Sequence, residues 1–448
     1  MNFIIVFISL LSLVSAIHYE PNWKSIDSRP LPKWYDEAKV GIFIHFGVFS
    51  VPSYVDEWFW DWWLLRPNQQ IINFMKKHYS PSFTYPEFGP QFTAEWFNAN
   101  QWAKLFERSG AKYVVLTTKH HEGFTLWPSK FSFTWNSVDI GPKRDIVGEL
   151  EHAVRAHGLR FGTYHSLMEW FHPLYLKEKG SKWKTDLFVR TKIRPEMEEL
   201  VNTYKPDIVW SDGDAEAPDT YWNSTDFLAW LYNESPVKDH VVVNDRWGIG
   251  THGKHGGFHN SADRYNPGVI QKHKWESAIT IDRHSWGFRR EATLTDYLTI
   301  DQLLFQLVSA VSCGGNILIN VGPRKDGTIS PIFQERLTQL GDWLALNGEG
   351  IYSSKPWTTC QNDTSTKDIW YTSKPEMNSV YGFVLNWPTT DSIHFGCLKI
   401  EQIQSVQLFG SNEIINFNAN GNGIDVHMPR WTPDQPIKHC PTFKFIVK

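Results

Sequence analysis

The stretch Pro206-Asp207-Ile208-Val209-Trp210-Ser211-Asp212-Gly213 is a short apolar run that ends on a carboxylate. Residues 206–209 read as a buried strand, and Asp212 falls at its C-terminal end. In an α/β barrel that end of each strand faces the catalytic mouth. Side chains alternate along a strand, so Trp210 and Asp212 share one face. An indole beside a carboxylate suits a sugar-cleaving site: a flat apolar wall for the ring, and a group to attack or steady the anomeric carbon. The competing reading of Asp212 is a strand-end residue that caps the next helix.

The same pattern recurs on both sides of this stretch. Strand-like runs cover residues 39–45, ending at His45, and 113–118, followed by Lys119-His120-His121. Further runs cover residues 159–165, containing Tyr164, residues 241–244, leading to Asp245-Arg246, and residues 316–320. Helix-length segments separate them. Short Val/Ile-rich runs without polar alternation are strands buried on both faces of a parallel sheet. The predicted fold is therefore α/β, a (β/α)8-like TIM barrel over residues 17–355. After residue 355 short strands are separated by Gly, Asn, Asp and Pro, which predicts a C-terminal antiparallel β-sandwich over residues 356–448.

Composition narrows the class. The 448 residues carry a net charge of -4, with 21% charged residues. No basic stripe suggests nucleic acid as a partner. The apolar run within residues 1–16 ends in small residues and reads as a signal peptide. It is short for a membrane span, so no membrane role is expected, and the protein is expected to be secreted or lysosomal. Sequons at Asn223, Asn233 and Asn362 fit that route. Of the four cysteines, Cys313, Cys360, Cys397 and Cys440, three lie in the C-terminal region. One disulfide there is expected, with Cys397–Cys440 the pairing suggested and the others left open.

Sugar cleavage needs two carboxylates. Asp212 is the first. The second is Asp263, in a polar loop, or Glu276, which has Trp275 beside it. Asp263 also reads as a turn residue, and Glu276 as an ion-pair partner of Lys274 or Arg246. His120 and His121, adjacent on an extended segment, point apart and do not match a metal-ligand spacing. No metal or organic cofactor is expected. These histidines, His45 and Arg246 read as groups for sugar hydroxyls. The loop holding Glu57 and Trp58 is dense in acids and aromatics. As core it would bury Glu57 and Asp61, so it reads as a sugar clamp.

Six motifs in order resemble the α-L-fucosidases of glycoside hydrolase family 29, the animal tissue (lysosomal-type) enzymes in particular. They are residues 41–50, 57–60, 119–124, 210–213, 243–248 and 285–290. The resemblance implies a retaining exo-hydrolase that removes terminal fucose from glycans through a covalent intermediate. It implies Asp212 as nucleophile, and His45, Glu57, Trp58, His120, His121, Tyr164, Trp210 and Arg246 as fucose ligands. Phe43 would face the C5 methyl group, a contact worth about 0.8 kcal/mol per methyl-sized group buried. The family's acid/base lies in a variable loop, and Asp263 is preferred over Glu276. Relatives are often tetramers, so a homo-oligomer is expected by analogy. The alternatives are an inactive fucose-binding lectin on the same barrel and a metal-dependent hydrolase using His120, His121 and Asp212.

Overall fold

The structure is a computed structural model that describes residues 17–430, 432 and 435–448. The leader expected at residues 1–16 lies outside them. Seven parallel strands form the first sheet: β1 (Val40–Ile44), β2 (Tyr113–Lys119), β3 (Arg160–Ser166), β4 (Ile208–Asp212), β5 (Val242–Val243), β6 (Trp275–Thr280) and β7 (Gly315–Val321). Their order is β5-β4-β3-β2-β1-β7-β6. A short extended stretch joins the two edges. Gly257 and Phe258 donate to the carbonyl of Val243, while His259 donates to Lys274 and accepts from Glu276. The TIM-like barrel is thus seven strands plus an irregular eighth segment.

Alternation sorts these strands into an inner and an outer face. The inward set includes Phe43, Tyr113, Val115, Tyr164, Trp210, Val242, Phe258, Ala278 and Leu318, which form one buried cluster. The outward set packs on helices such as Ala99–Arg108, Ile146–Ala156 and Ile300–Ser312. Those three start at side-chain caps: Asn98, Asp145 and Thr299 accept from main-chain N–H groups of the first turn, as short polar residues do at helix starts. Gly41 is what admits an aromatic interior, since a Cβ there would lie 2.2 Å from the ring of Tyr113.

From Lys355 the chain is antiparallel. Strands β8 (Lys355–Pro356), β9 (Ile369–Lys374), β10 (Ser379–Val384), β12 (Ile403–Leu408) and β15 (Thr442–Val447) make one sheet. Strands β11 (Ser392–Phe395), β13 (Phe417–Asn420) and β14 (Gly423–His427) make another. Both contribute to a shared core around Phe395, Val426, Phe443 and Phe445, which is a β-sandwich.

The disulfide differs from the suggested pairing: Cys360 bonds to Cys397, and Cys440 is a buried free thiol, as is Cys313. The reason is local. Asp363 accepts from the main-chain N–H groups of Gly396 and Cys397, so its loop brings Cys360 to that turn. Cys440 instead lies where its carbonyl accepts from the indole of Trp343.

Candidate active site

A cavity of about 760 Å³ opens at the C-terminal ends of the strands. Phe43, His45, Glu57, Trp58, His120, His121, Tyr164, Trp210, Asp212, Arg246 and Asp263 all line it. Its floor is aromatic. Phe43 packs 5.3 Å from Trp210 and 6.0 Å from Trp286 between ring centroids, and Trp210 stacks on Tyr164 at 5.6 Å.

Asp212 stands above this floor as the last residue of β4. Its Oδ2 accepts from the Tyr164 hydroxyl at 2.7 Å, and its Oδ1 from Arg246 Nη1 at 3.0 Å. Burial alone would raise its pKa. The charge of Arg246 outweighs that, aided by the hydrogen bonds from Tyr164 and Arg246, and holds the carboxyl well below the usual range. Arg246 also reaches Asp263: Nη2 lies 2.6 Å from its Oδ1. One guanidinium therefore spans both carboxylates. Asn260 fixes the guanidinium, accepting from Nε at its carbonyl and from Nη2 at Oδ1. Asp263 is the exposed partner, with 46% of its side chain accessible against 21% for Asp212.

The histidines are oriented from behind. His45 Nδ1 meets Asn320 Oδ1 at 2.7 Å, while Asn320 Nδ2 donates to Thr280 Oγ1 and the Trp286 carbonyl. Asn320 therefore accepts from His45 Nδ1–H, which leaves the lone pair on Nε2. Burial, then His120, pushes the pKa of His45 down to about 3. His121 Nδ1 meets Ser166 Oγ at 2.6 Å, and that hydroxyl donates to the Met168 carbonyl. Burial, then His120, also drives His121 well below its usual value. Both rings are neutral acceptors at Nε2, suited to sugar hydroxyls.

Glu57 and Asp61 are both buried, at 5% and 4% exposure, against the expectation that an acidic loop would avoid this. Each has partners. Glu57 Oε2 accepts from Ser285 Oγ and from the N–H groups of Trp286 and Gly287. Asp61 pairs with Arg66, whose guanidinium lies over the rings of Trp58 and Trp62. Glu57 thus anchors the loop that delivers Trp286.

Glu276 falls outside the cavity. It is 0% exposed and second in β6, near the end of the strand remote from the mouth. Tyr35 and Tyr113 donate to its Oε2 at 2.7 Å each, and Trp210 Nε1 to its Oε1 at 3.1 Å. Burial raises its pKa, against those three hydrogen bonds. It has neither of the ion-pair roles considered for it: it steadies Trp210 from below.

Sequence reasoning missed Trp286 and Asn320, which line and brace the inner end of the cavity. Trp286 sits inside the motif at residues 285–290, where its position in that motif was available as a signal. Asn320, next to last in β7, carried only its position near a strand's C-terminal end.

The α-L-fucosidase family model matches residues 7–349, and that of the α-L-fucosidase C-terminal domain matches residues 361–446. The α-L-fucosidase of Branchiostoma floridae is 57% identical over 95% of this chain and 96% of its own length. Human plasma α-L-fucosidase is 56% identical over 94% of this chain and 91% of its own. Human tissue α-L-fucosidase is 51% identical over 93% and 89%. The Thermotoga maritima α-fucosidase in complex with a mechanism-based inhibitor superposes with a TM-score of 0.82 at 34% identity, covering 96% of this chain and all of that one. Its complex with fucose gives 0.82 at 33% identity over the same shares. Nothing in these likenesses favours a lectin. A barrel mouth built around paired carboxylates, and matches to both family models over nearly the whole chain, lead to one conclusion: the chain belongs to the α-L-fucosidase family, glycoside hydrolase family 29, and is a hydrolase of terminal α-L-fucose.

Proposed function

We propose that Asp212 is the nucleophile and Asp263 the acid/base of a retaining hydrolysis. The observation that carries this reading is Arg246, which holds both carboxylates at once. Asp212, kept ionised by Arg246, attacks C1 of fucose. As the C1–O bond breaks, Asp263 gives its proton to the departing oxygen, and a covalent fucosyl ester remains. Asp263 then takes a proton from water, the water oxygen attacks C1, Asp212 is released, and L-fucose leaves with retained configuration. To act as acid, Asp263 must be protonated and turn off Arg246, a movement its exposure allows. His45 and His121 accept from sugar hydroxyls, His120, Trp58, Trp210 and Tyr164 complete the pocket, and Phe43 faces the C5 methyl.

The wider assignment is also a proposal. Residues 1–16 are a leader, residues 17–355 the catalytic unit and residues 356–448 the sandwich. Relatives named plasma and tissue fucosidases support a secreted or lysosomal protein. Asn223, Asn233 and Asn362 are glycan acceptors, and the assembly is a homo-oligomer, by analogy a tetramer. Among the described residues no helix is long and apolar enough to cross a membrane.

Azide rescue tests the chemistry. Asp212→Gly loses about 10³-fold or more in kcat on an aryl α-L-fucoside, and azide restores turnover with a β-fucosyl azide product. Asp263→Ala loses about 10²–10⁴-fold on an unactivated leaving group, and azide gives the α-azide. Glu276→Gln gives no azide product. An α-azide from Glu276→Gln, with none from Asp263→Ala, would reverse the acid/base assignment.

A further inference from the structure

The cavity is larger than one deoxyhexose fills, at about 760 Å³ within the range of sites that hold drug-sized ligands. Its inner end is closed: Phe43, Tyr164 and Trp210 are each 2% exposed or less. Its outer part is open, with Leu65 and Leu176 at 45% and 41%. The chemistry described above accounts only for the inner end.

In the outer part His252 forms a built pair with Asp214. Its Nε2 lies 3.2 and 3.0 Å from the two carboxylate oxygens. Asp214 has a 2%-exposed side chain and accepts as well from the Gly248 N–H. Asp214 therefore fixes the ring, and with Nε2 committed, Nδ1 is the nitrogen left to a ligand. His252 is also registered against the acid/base loop. Asp245, fully buried, accepts from Gly253 N–H next to His252 and from Asn260 N–H three residues before Asp263. A group on the leaving side of Asp263 is thus held at a fixed offset from it. The hydrogen bond to Asp214 raises the pKa of His252, with burial and Arg246 opposing and the charges of Asp214 and Asp245 assisting, so its ring is a donor at acid pH. Six carboxylates line the whole cavity against three arginine and lysine side chains and His252; with that ring protonated the carboxylates remain in excess by two, which repels anions.

We propose that the outer part of the cavity is a subsite for the first sugar of the leaving group, that His252 donates to it through Nδ1, and that the subsite takes neutral sugars over carboxylate- or sulfate-bearing ones. This rests on fucose occupying the inner end, which azide rescue tests separately.

The experiment compares three substrates: an aryl α-L-fucoside, a neutral fucosylated oligosaccharide, and the same oligosaccharide with a carboxylate on its leaving group. In His252→Ala, kcat/KM for the neutral oligosaccharide falls about tenfold, mostly through KM, as expected for one lost hydrogen bond. Aryl fucoside turnover and inhibition by fucose are unchanged. His252→Asn, whose amide nitrogen replaces Nδ1, recovers most of the loss. The native enzyme turns over the carboxylate-bearing substrate about tenfold more slowly than the neutral one at low salt, and added salt narrows the gap. Equal losses on the aryl fucoside and the oligosaccharide, no loss on either, or a native preference for the anionic substrate would each overturn the proposal.

Discussion

Arg246 is the residue on which the site's electrostatics turn. Asp212 is largely removed from water, which by itself favours the neutral acid; the guanidinium 3.0 Å away reverses that. As the proposed nucleophile Asp212 must be ionised, so the acid limb of the kcat/KM profile follows its pKa wherever Asp212 sets that limb. With Arg246 in place the carboxyl titrates below its ordinary range, and activity is expected to persist into acid. In Arg246→Met only the Tyr164 hydrogen bond still opposes the burial penalty, and the limb moves to higher pH by about 1–3 units. Kinetics across pH on an aryl fucoside check this; a limb that stays put while kcat falls would mean Arg246 binds sugar without tuning Asp212. Asp212, Tyr164 and Arg246 were legible in the sequence because each sits at or just beyond a strand's C-terminal end, where a barrel presents its chemistry. Glu276 was misleading for a physical reason. Its neighbour Trp275 suggested an apolar pocket, but alternation turns the two apart, and the carboxylate points into the barrel beneath Trp210.

The strands were readable wherever both faces are buried, as in β1, β2, β4 and β7, because continuous Val/Ile runs have few other uses. Strand β6 escaped notice since Glu276, Ser277 and Thr280 break its apolar character. Each is 3% exposed or less, so tertiary burial outweighed local composition. A second feature at this scale was equally hidden. At the end of β2, Lys119 pairs with Glu169 at 2.8 Å and Glu196 at 3.2 Å. Lys192 pairs with the same two acids, and His165 with Glu196. Two lysines and two glutamates balance, and Ser129 and Ser132 add hydrogen bonds to Glu196. The cluster ties β2, β3 and helix Arg194–Tyr204 together directly behind His120 and His121. Removing one lysine leaves an uncompensated buried carboxylate. Lys192→Met is therefore expected to lose about 3–5 kcal/mol of unfolding free energy, and adding Glu169→Gln to recover part of it. Urea denaturation of the single and double variants measures both; a loss under about 1 kcal/mol in the single variant would show that water has access to the cluster.

Across the whole molecule the chain divides its labour. Every residue proposed for the chemistry comes from the barrel portion, between Phe43 and Trp286. The disulfide belongs to the sandwich, where Cys360–Cys397 closes a separation of 37 residues. Sequence spacing could not assign that pair, because three cysteines were compatible and only the hydrogen bonds of Asp363 select between them. The sandwich is also bound to the barrel by packing: Trp343, on helix Pro331–Asn347, packs at a tilt against Phe383 and donates to the Cys440 carbonyl. Loss of the cross-link therefore acts on the unfolded chain and on the local loop, leaving the mouth of the barrel as it is. Cys360→Ser with Cys397→Ser is expected to lower stability by about 2–4 kcal/mol, while kcat and KM for an aryl fucoside at 25 °C stay within about twofold of the native values, since no residue of the site contacts the bridge. Calorimetry and steady-state kinetics on one preparation read both effects. A fall in kcat that tracks the fall in stability would mean that the sandwich holds the catalytic loops in place, and the division between the two portions would then be one of sequence alone.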